Sequence, residues 1–193
     1  MSDQQVVSIP APQISQLELH VVGISPLIVH KWSAKAKREI LEKQMKKAKT
    51  GKEAKKPEQD YEDSMYRMSN GGGCGFPAIG FKLSAVNACR LVDGFPMTSA
   101  RQMFFVLADE GDLVKIYGEP RMREDMVRVG RGVADIRYRA EFPEWSAKLR
   151  IDFDARVISA EQIANLFALA GHSVGIGEWR PEKDGDFGRF RIE

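Results

Sequence analysis

Cysteine and histidine are scarce in this 193-residue chain, which has two cysteines, Cys74 and Cys89, and three histidines, His20, His30 and His172. Two thiols cannot build a zinc quartet or a disulfide framework, and they fit a reducing compartment. The histidines lie far apart and lack any ligand spacing such as HExxH, so a core-edge or surface role is expected for each, with a catalytic His172 beside its glycine loop as the minority reading. No apolar run approaches ~18 residues, which leaves no candidate membrane span. The opening MSDQQVVSIPAP has an acid, no basic start and no apolar core. It does not read as a secretory signal, and a cytoplasmic location is expected. Net charge is almost absent as well: 29 basic residues against 27 acidic give +2. Hydrophobic residues at 43% and charged residues at 29% are ordinary for a globular protein, and one domain of this size needs no covalent staple.

What the chain does carry is periodicity. Residues 1–12 are polar, hold Pro10 and Pro12, and read as a loose leader. ISQLELHVVGI alternates as a strand, with Ile14, Leu17 or Leu19, Val21 and Val22 contributing to the core and a bulge or buried end predicted near Val21. Ser33–Lys49 is rich in helix formers, with Ser33 as cap and a sparse apolar set of Ile40, Leu41, Met45 and Ala48. So thin a face predicts a surface helix or one that orders against a partner. The polar link TGKEAKKPEQD follows. GGGCGFPAIG then reads as a flexible loop or a backbone that approaches something closely. In GFKLSAVNACRLVDG, Phe81, Ala85, Ala88 and Cys89 share a helical face that ends before Gly94.

The second half is more strand-like. QMFFVLAD fits a strand or a short helix, DLVKIYG fits a strand, and RMREDMVRVGRGVADIRYRAEF reads as an arginine-rich excursion. WSAKLRIDFDARV sets Trp145, Ala147, Leu149, Ile151 and Phe153 against Lys148, Arg150, Asp152 and Asp154, the pattern of a half-buried strand. Ser159 and Gln162 form a capping box for SAEQIANLFALAG, with Ile163, Leu166, Phe167 and Ala170 inward and Gly171 as the end. FGRFRI closes the chain as a strand. The order strand, helix, two strands, helix, strand predicts an α+β fold with a modified ferredoxin-like (RRM-like) βαββαβ core, its helices over one face of an antiparallel sheet. The chain reads as a single domain over 1–193, with a basic helical and flexible insertion at 31–75. The arginine-rich β excursion spans 119–142, and a helix, glycine loop and closing strand occupy 157–193.

Enzyme chemistry finds little support. Cys74, between Gly73 and Gly75, has exposure in prospect but no recognisable base, and Cys89 reads as a core residue. Asp152 and Asp154 suit a solvated strand face or pairing with Arg150 and Arg156 better than a metal. GIGEWRPEKDG lacks the Walker lysine and hydroxyl pair and no helix follows it, so no nucleotide cofactor is expected. Charge placement says more. Between Lys31 and Lys56 there are eleven lysines and arginines against three acids. Such a cluster suits a polyanion, with a protein partner or a membrane surface as the other readings, and the thin apolar face argues against membrane insertion.

Arg121, Arg123, Arg128, Arg131, Arg137 and Arg139 form a second cluster beside Gly130 and Gly132, suited either to phosphate forks or to a surface hairpin balanced by Glu124, Asp125 and Asp135. The tail adds Trp179, Arg180, Arg189 and Arg191 beside Phe187 and Phe190. Aromatic faces can stack single-stranded bases while arginines meet phosphates, although the parity of Phe190 with Ile192 places that ring in the core.

The Ser159–Ala170 helix, GHSVGIGEWR and DGDFGRFRI together resemble the late helix, glycine loop and closing strand of the repeat-associated RNA-binding superfamily of CRISPR effector complexes. FPAIGFKLSAVNACR is similar to the start of the first core helix in its backbone-subunit branch. The resemblance implies a ferredoxin-like domain in which Gly175, Gly177, Gly185 and Gly188 shape the loop. It also implies an arginine-rich thumb beside nucleic acid, and a finger or subunit contact formed by Lys31, Trp32 and the following helix. Because backbone subunits are commonly larger, it points to a reduced, phage-type or mobile-element relative.

The expected function is therefore binding of single-stranded DNA or RNA without catalysis, as a coat of self-associating copies. Lys31, Trp32, Lys35, Arg121, Arg123, Arg128, Arg131, Trp179, Arg180 and Arg189 are the expected contacts. A protein-interaction module or an inhibitor of a nucleic-acid machine is the second reading, and a metal-independent RNA-processing nuclease using His172 is the third.

Overall fold

Simple alternation builds β1 (Ile14–Gly23), in which Leu19 and Val21 are buried, Leu17 is half-buried, and Gln16, Glu18 and His20 face solvent. β1 lies antiparallel between β9 (Ser146–Asp154) and β10 (Phe190–Ile192). Its register with β9 is unbroken from Ile14 opposite Asp154 to Val22 opposite Ser146, so the bulge expected near Val21 is absent. Ile14, expected to face inward, is 63% exposed because it shares the parity of Gln16 and Glu18. The structure, a computed structural model, describes residues 9–32, 34–45, 55–69, 71–129 and 133–193.

The other edge of β9 is shared by two strands, β5 (Phe104–Leu107) along its later half and β6 (Leu113–Tyr117) at its start. β4 (Cys74–Pro77) pairs with β6, and β3 (Tyr66–Arg67) pairs with β4. The resulting sheet runs β10–β1–β9–β6–β4–β3, with β5 also on β9. Cys74–Pro77 is thus strand rather than flexible loop, since Phe76 opposite Val114 draws the segment into the core. The alternative of a close backbone approach holds at Gly75, where a Cβ would meet Leu113 Cβ at 2.9 Å and the Val114 carbonyl oxygen at 3.0 Å. Cys74 is buried accordingly. Desolvation pushes its thiol above the ordinary range, which removes the prospect of a reactive nucleophile.

α3 (Ala78–Ala88) and α5 (Ala160–Ser173) pack against each other over the core. Phe81 of α3 is fully buried and meets Phe76 and Phe190 edge-on, with ring centroids 5.6 and 6.4 Å apart. At the start of α5 the Gln162 amide donates to Ser159 Oγ at 3.1 Å, and the Ser159 amide donates to Gln162 Oε1 at 2.9 Å. α5 continues through Gly171, its expected end, to Ser173. A Cβ at Gly171 would run into the carbonyl oxygen of Phe190, so this glycine permits close helix–strand packing rather than termination. The ambiguous QMFFVLAD divides between both readings: α4 (Met97–Met103) ends within it and β5 begins at Phe104.

A second sheet has the order β2–β8–β7, from β2 (Leu27–Val29), β7 (Arg121–Val129) and β8 (Val133–Phe142). α1 (Ala34–Gln44) follows β2, and α2 (Pro57–Asp63) lies against β8. The expected cap Ser33, Ala48 and the end of the basic helix lie outside the described residues. The molecule is a mixed α+β fold of two sheets and several helices. Among the described residues no helix is long and apolar enough to cross a membrane.

Candidate functional site

The glycine loop and the small sheet meet along β2. Glu178 donates its amide to the Ile28 carbonyl at 2.9 Å, and Gly188 donates to the Pro26 carbonyl at 2.7 Å. Gly188 has φ +63°, and a Cβ there would collide with the Ile176 carbonyl oxygen; Gly177, at φ +76°, faces the Ile28 carbonyl in the same way. Both positions combine a left-handed backbone with close backbone approach, which glycine alone satisfies. Gly175 is also left-handed at φ +69°, and a Cβ on Gly185 would meet the Trp179 carbonyl. Trp179 itself is held at φ +51°, an uncommon value for a bulky residue.

That tryptophan packs inside a charged network. Arg139 Cζ lies 4.9 Å from its ring centroid and Arg123 Cζ 5.5 Å, while Phe187 tilts against the ring at 6.1 Å. Arg123 also lies over Phe187, at 4.8 Å. In β7 and β8, Arg123 sits opposite Arg139, and Arg121 opposite Glu141, on the same face. Arg139, only 2% exposed, donates to Asp125 at 2.7 Å and pairs with Glu178 at 3.5 Å. Arg123 donates to Asp125 and Glu141, both at 2.8 Å, and Arg121 donates to Glu141 at 2.7 Å. Burial opposes the Arg123 charge, yet its hydrogen bonds to the two carboxylates hold its pKa above the ordinary value. Three guanidiniums thus face three carboxylates. Arg139 Nε is buried and has no hydrogen-bond partner among the described residues.

The expected contact residues occupy different positions around this node. Lys31 and Trp32 leave β2 beside the hairpin base and are both exposed, Trp32 by 61%. The Lys31 amide donates to the Ser64 carbonyl at 2.8 Å, and Ser64 Oγ accepts from the Ala140 amide at 2.9 Å, which ties the insertion to β8. Arg121 keeps a 65% exposed side chain despite its bond to Glu141. Arg180 donates to Glu182 and to the Gly177 carbonyl, at 2.8 and 2.9 Å. Arg128 is exposed towards the far end of β7, on the face opposite Arg121 and Arg123. Arg189 stands apart, 3.3 Å from His172 Nδ1. Lys35 lies in α1 with its side chain outside the description, and Arg131 lies outside the described residues.

Glu141 and Glu178 escaped sequence reasoning as arginine partners. Glu141 was within reach: once Val129 opposes Val133, the hairpin register sets Glu141 across from Arg121. Glu178 had no local signal, because it arrives from the distant glycine loop. The sequence gives His30 a core-edge or surface role. It is half-buried between β2 and α1; burial lowers its pKa, Glu178 works against that shift, and Arg137 and Arg139 add to it. On the open face of the large sheet the signs are mixed. Gln16 donates to Asp152 at 2.9 Å, Arg150 to Asp109 at 3.2 Å and Arg156 to Asp154 at 2.7 Å. The Arg156 hydrogen bond holds the Asp154 carboxyl well below the usual range.

No protein-family model matches the chain, and no curated protein matches it. Among solved structures, the crystal structure of Cmr6 from Pyrococcus furiosus superposes with a TM-score of 0.45 at 11% sequence identity, over 94% of this chain and 99% of that one. The chain is a distant structural match to Cmr6.

Proposed function

We propose that this protein binds single-stranded nucleic acid without catalysis, on a modified ferredoxin-like core, and that copies associate along the strand. The observation that carries the reading is the exposed Lys31–Trp32 pair at the hairpin base, leading into a segment with eleven basic residues against three acidic. An exposed indole beside a run of cations is the combination that stacks bases and neutralises phosphates. Support for the core comes from the order β10–β1–β9–β5, with α3 between β1 and β5 and α5 between β9 and β10. Lys31, Trp32, Lys35, Arg128 and Arg131 form the primary contact set, with Arg121, Arg180 and Arg189 at its margin. Arg123 and Trp179 brace the hairpin against the glycine loop. Strand footprinting tests this: protection of a short, repeating length of single-stranded DNA or RNA is expected, and an unprotected strand at saturating protein overturns it.

One observation favours a second reading, a protein-interaction module. Arg121, Arg123 and Arg180 already donate to carboxylates, which lowers their capacity for phosphates. A stable one-to-one protein complex from a chain with no measurable affinity for DNA or RNA is the result that selects it.

A further inference from the structure

A groove of about 420 Å³ opens between the turn after α3 and the flank of α5. Val92, Phe95, Ile158, Leu166 and Leu169 line it, and Asp93 is its charged lining residue. Leu91 and Val157, chain neighbours of the lining residues Val92 and Ile158, are 61% and 50% exposed.

α1 presents the complementary surface. Ile40, Leu41 and Met45, in and just after this helix, are 40%, 56% and 58% exposed. Leu41 and Met45 are four residues apart and therefore share a face. Lys37 is exposed on the same helix, and the α1 sequence holds four basic residues against two acidic. An amphipathic helix laid into an apolar groove is a recurring recognition mode, and a basic helix suits a groove whose charge is an aspartate.

Among the described residues, none of α1 lines the groove. β1 starts at Ile14 opposite Asp154, close in sequence to Ile158 of the groove, and ends at Gly23, from which β2 leads to α1. A strand of that length spans about 34 Å. The helix therefore leaves its own groove open.

We propose that the groove beside α5 receives the Leu41–Met45 face of α1 from a second copy of this chain. The contact is heterologous: each copy uses one helix and one groove, and a pair still carries one of each unfilled. One helix in one groove is a small interface beside the ~1,200–2,000 Å² of stable complexes, so the free protein associates weakly. A bound strand strengthens the contact by raising the local concentration of neighbours. The inference supplies surfaces for the self-association proposed above and rests on that reading. Its test uses protein alone, so loss of strand binding and loss of this contact are separate results.

The experiment is sedimentation velocity on the full chain without nucleic acid, from about 1 μM to about 1 mM. A helix variant, Leu41→Asp with Met45→Asp, and a groove variant, Val92→Glu with Asp93→Lys, alter exposed positions, and circular dichroism checks their fold. Wild-type mass is expected to grow with concentration. Each variant alone is expected to weaken association at least about tenfold, as for loss of a hot spot. An equimolar mixture of the two is expected to form dimers that grow no further, because only one intact helix–groove pair remains per dimer. A wild type that stays at the 21.7 kDa of one chain, a variant that grows like wild type, or a mixture that recovers no dimer overturns the proposal.

Discussion

Arg139 is the residue on which the hairpin base turns. It bonds Asp125, pairs with Glu178 and stacks on Trp179 while almost fully buried. Removing one partner of a buried pair leaves the other charge uncompensated, at a cost of about 3–5 kcal/mol. Arg139→Ala is expected to fall near the lower end of that range in denaturant unfolding, because Arg123 still bonds Asp125. A loss below about 1 kcal/mol would place the network among surface pairs instead. His30 makes a pH prediction. Its folded pKa is lowered, so the unfolded chain takes up the proton first on acidification, and this group's contribution to stability falls as pH drops through about 6.5. His30→Asn is expected to flatten the stability profile between about pH 7 and pH 5; an unchanged slope would remove His30 as its source. Trp32, exposed at the mouth of the basic segment, is the stacking candidate. Trp32→Ala is expected to cost about 1–3 kcal/mol of strand affinity, read by titration of labelled strand, with unfolding unchanged.

At the scale of elements, local patterns were legible where each residue's fate depends on near neighbours. β9 alternates cleanly, and the capping box of α5 appears in the structure as in the sequence. β4 was obscured because the glycines just before it signal a loop while its strand character comes from pairing with β6, far along the chain. β2 is three residues, all buried, whose partner Ala140–Phe142 is equally remote. The candidate site was legible as a set of basic and aromatic residues. Their division into exposed and internally paired groups was not, because it depends on Glu141 and Glu178 arriving across the hairpin and from the glycine loop. The loop itself yields a prediction. Gly188→Ala forces a side chain into the left-handed region and against the Ile176 carbonyl. It is expected to destabilise by more than the ~1 kcal/mol typical of point mutants and to lower the thermal midpoint. Gly72→Ala, whose Cβ would make an ordinary contact with Met68 Cβ at 3.8 Å, is expected to leave it nearly unchanged.

At the scale of the whole molecule, near-neutral net charge conceals an uneven surface. The open face of the large sheet mixes signs, the hairpin base neutralises its own arginines, and the excess of cations lies in the segment that follows β2. In the proposed function, strand binding therefore depends on Lys31, Trp32 and the basic segment more than on the paired arginines of the hairpin base. The most direct measurement is affinity for labelled single-stranded DNA and RNA at about 50 and about 200 mM salt, for wild type and for Lys31→Glu with Lys37→Glu. Tight binding at low salt is predicted, falling with a log–log slope of ~0.7 per phosphate neutralised, and the double variant is predicted to bind more weakly with a shallower slope. Absence of binding to either strand at the lower salt, or a double variant that keeps both affinity and slope, would contradict it.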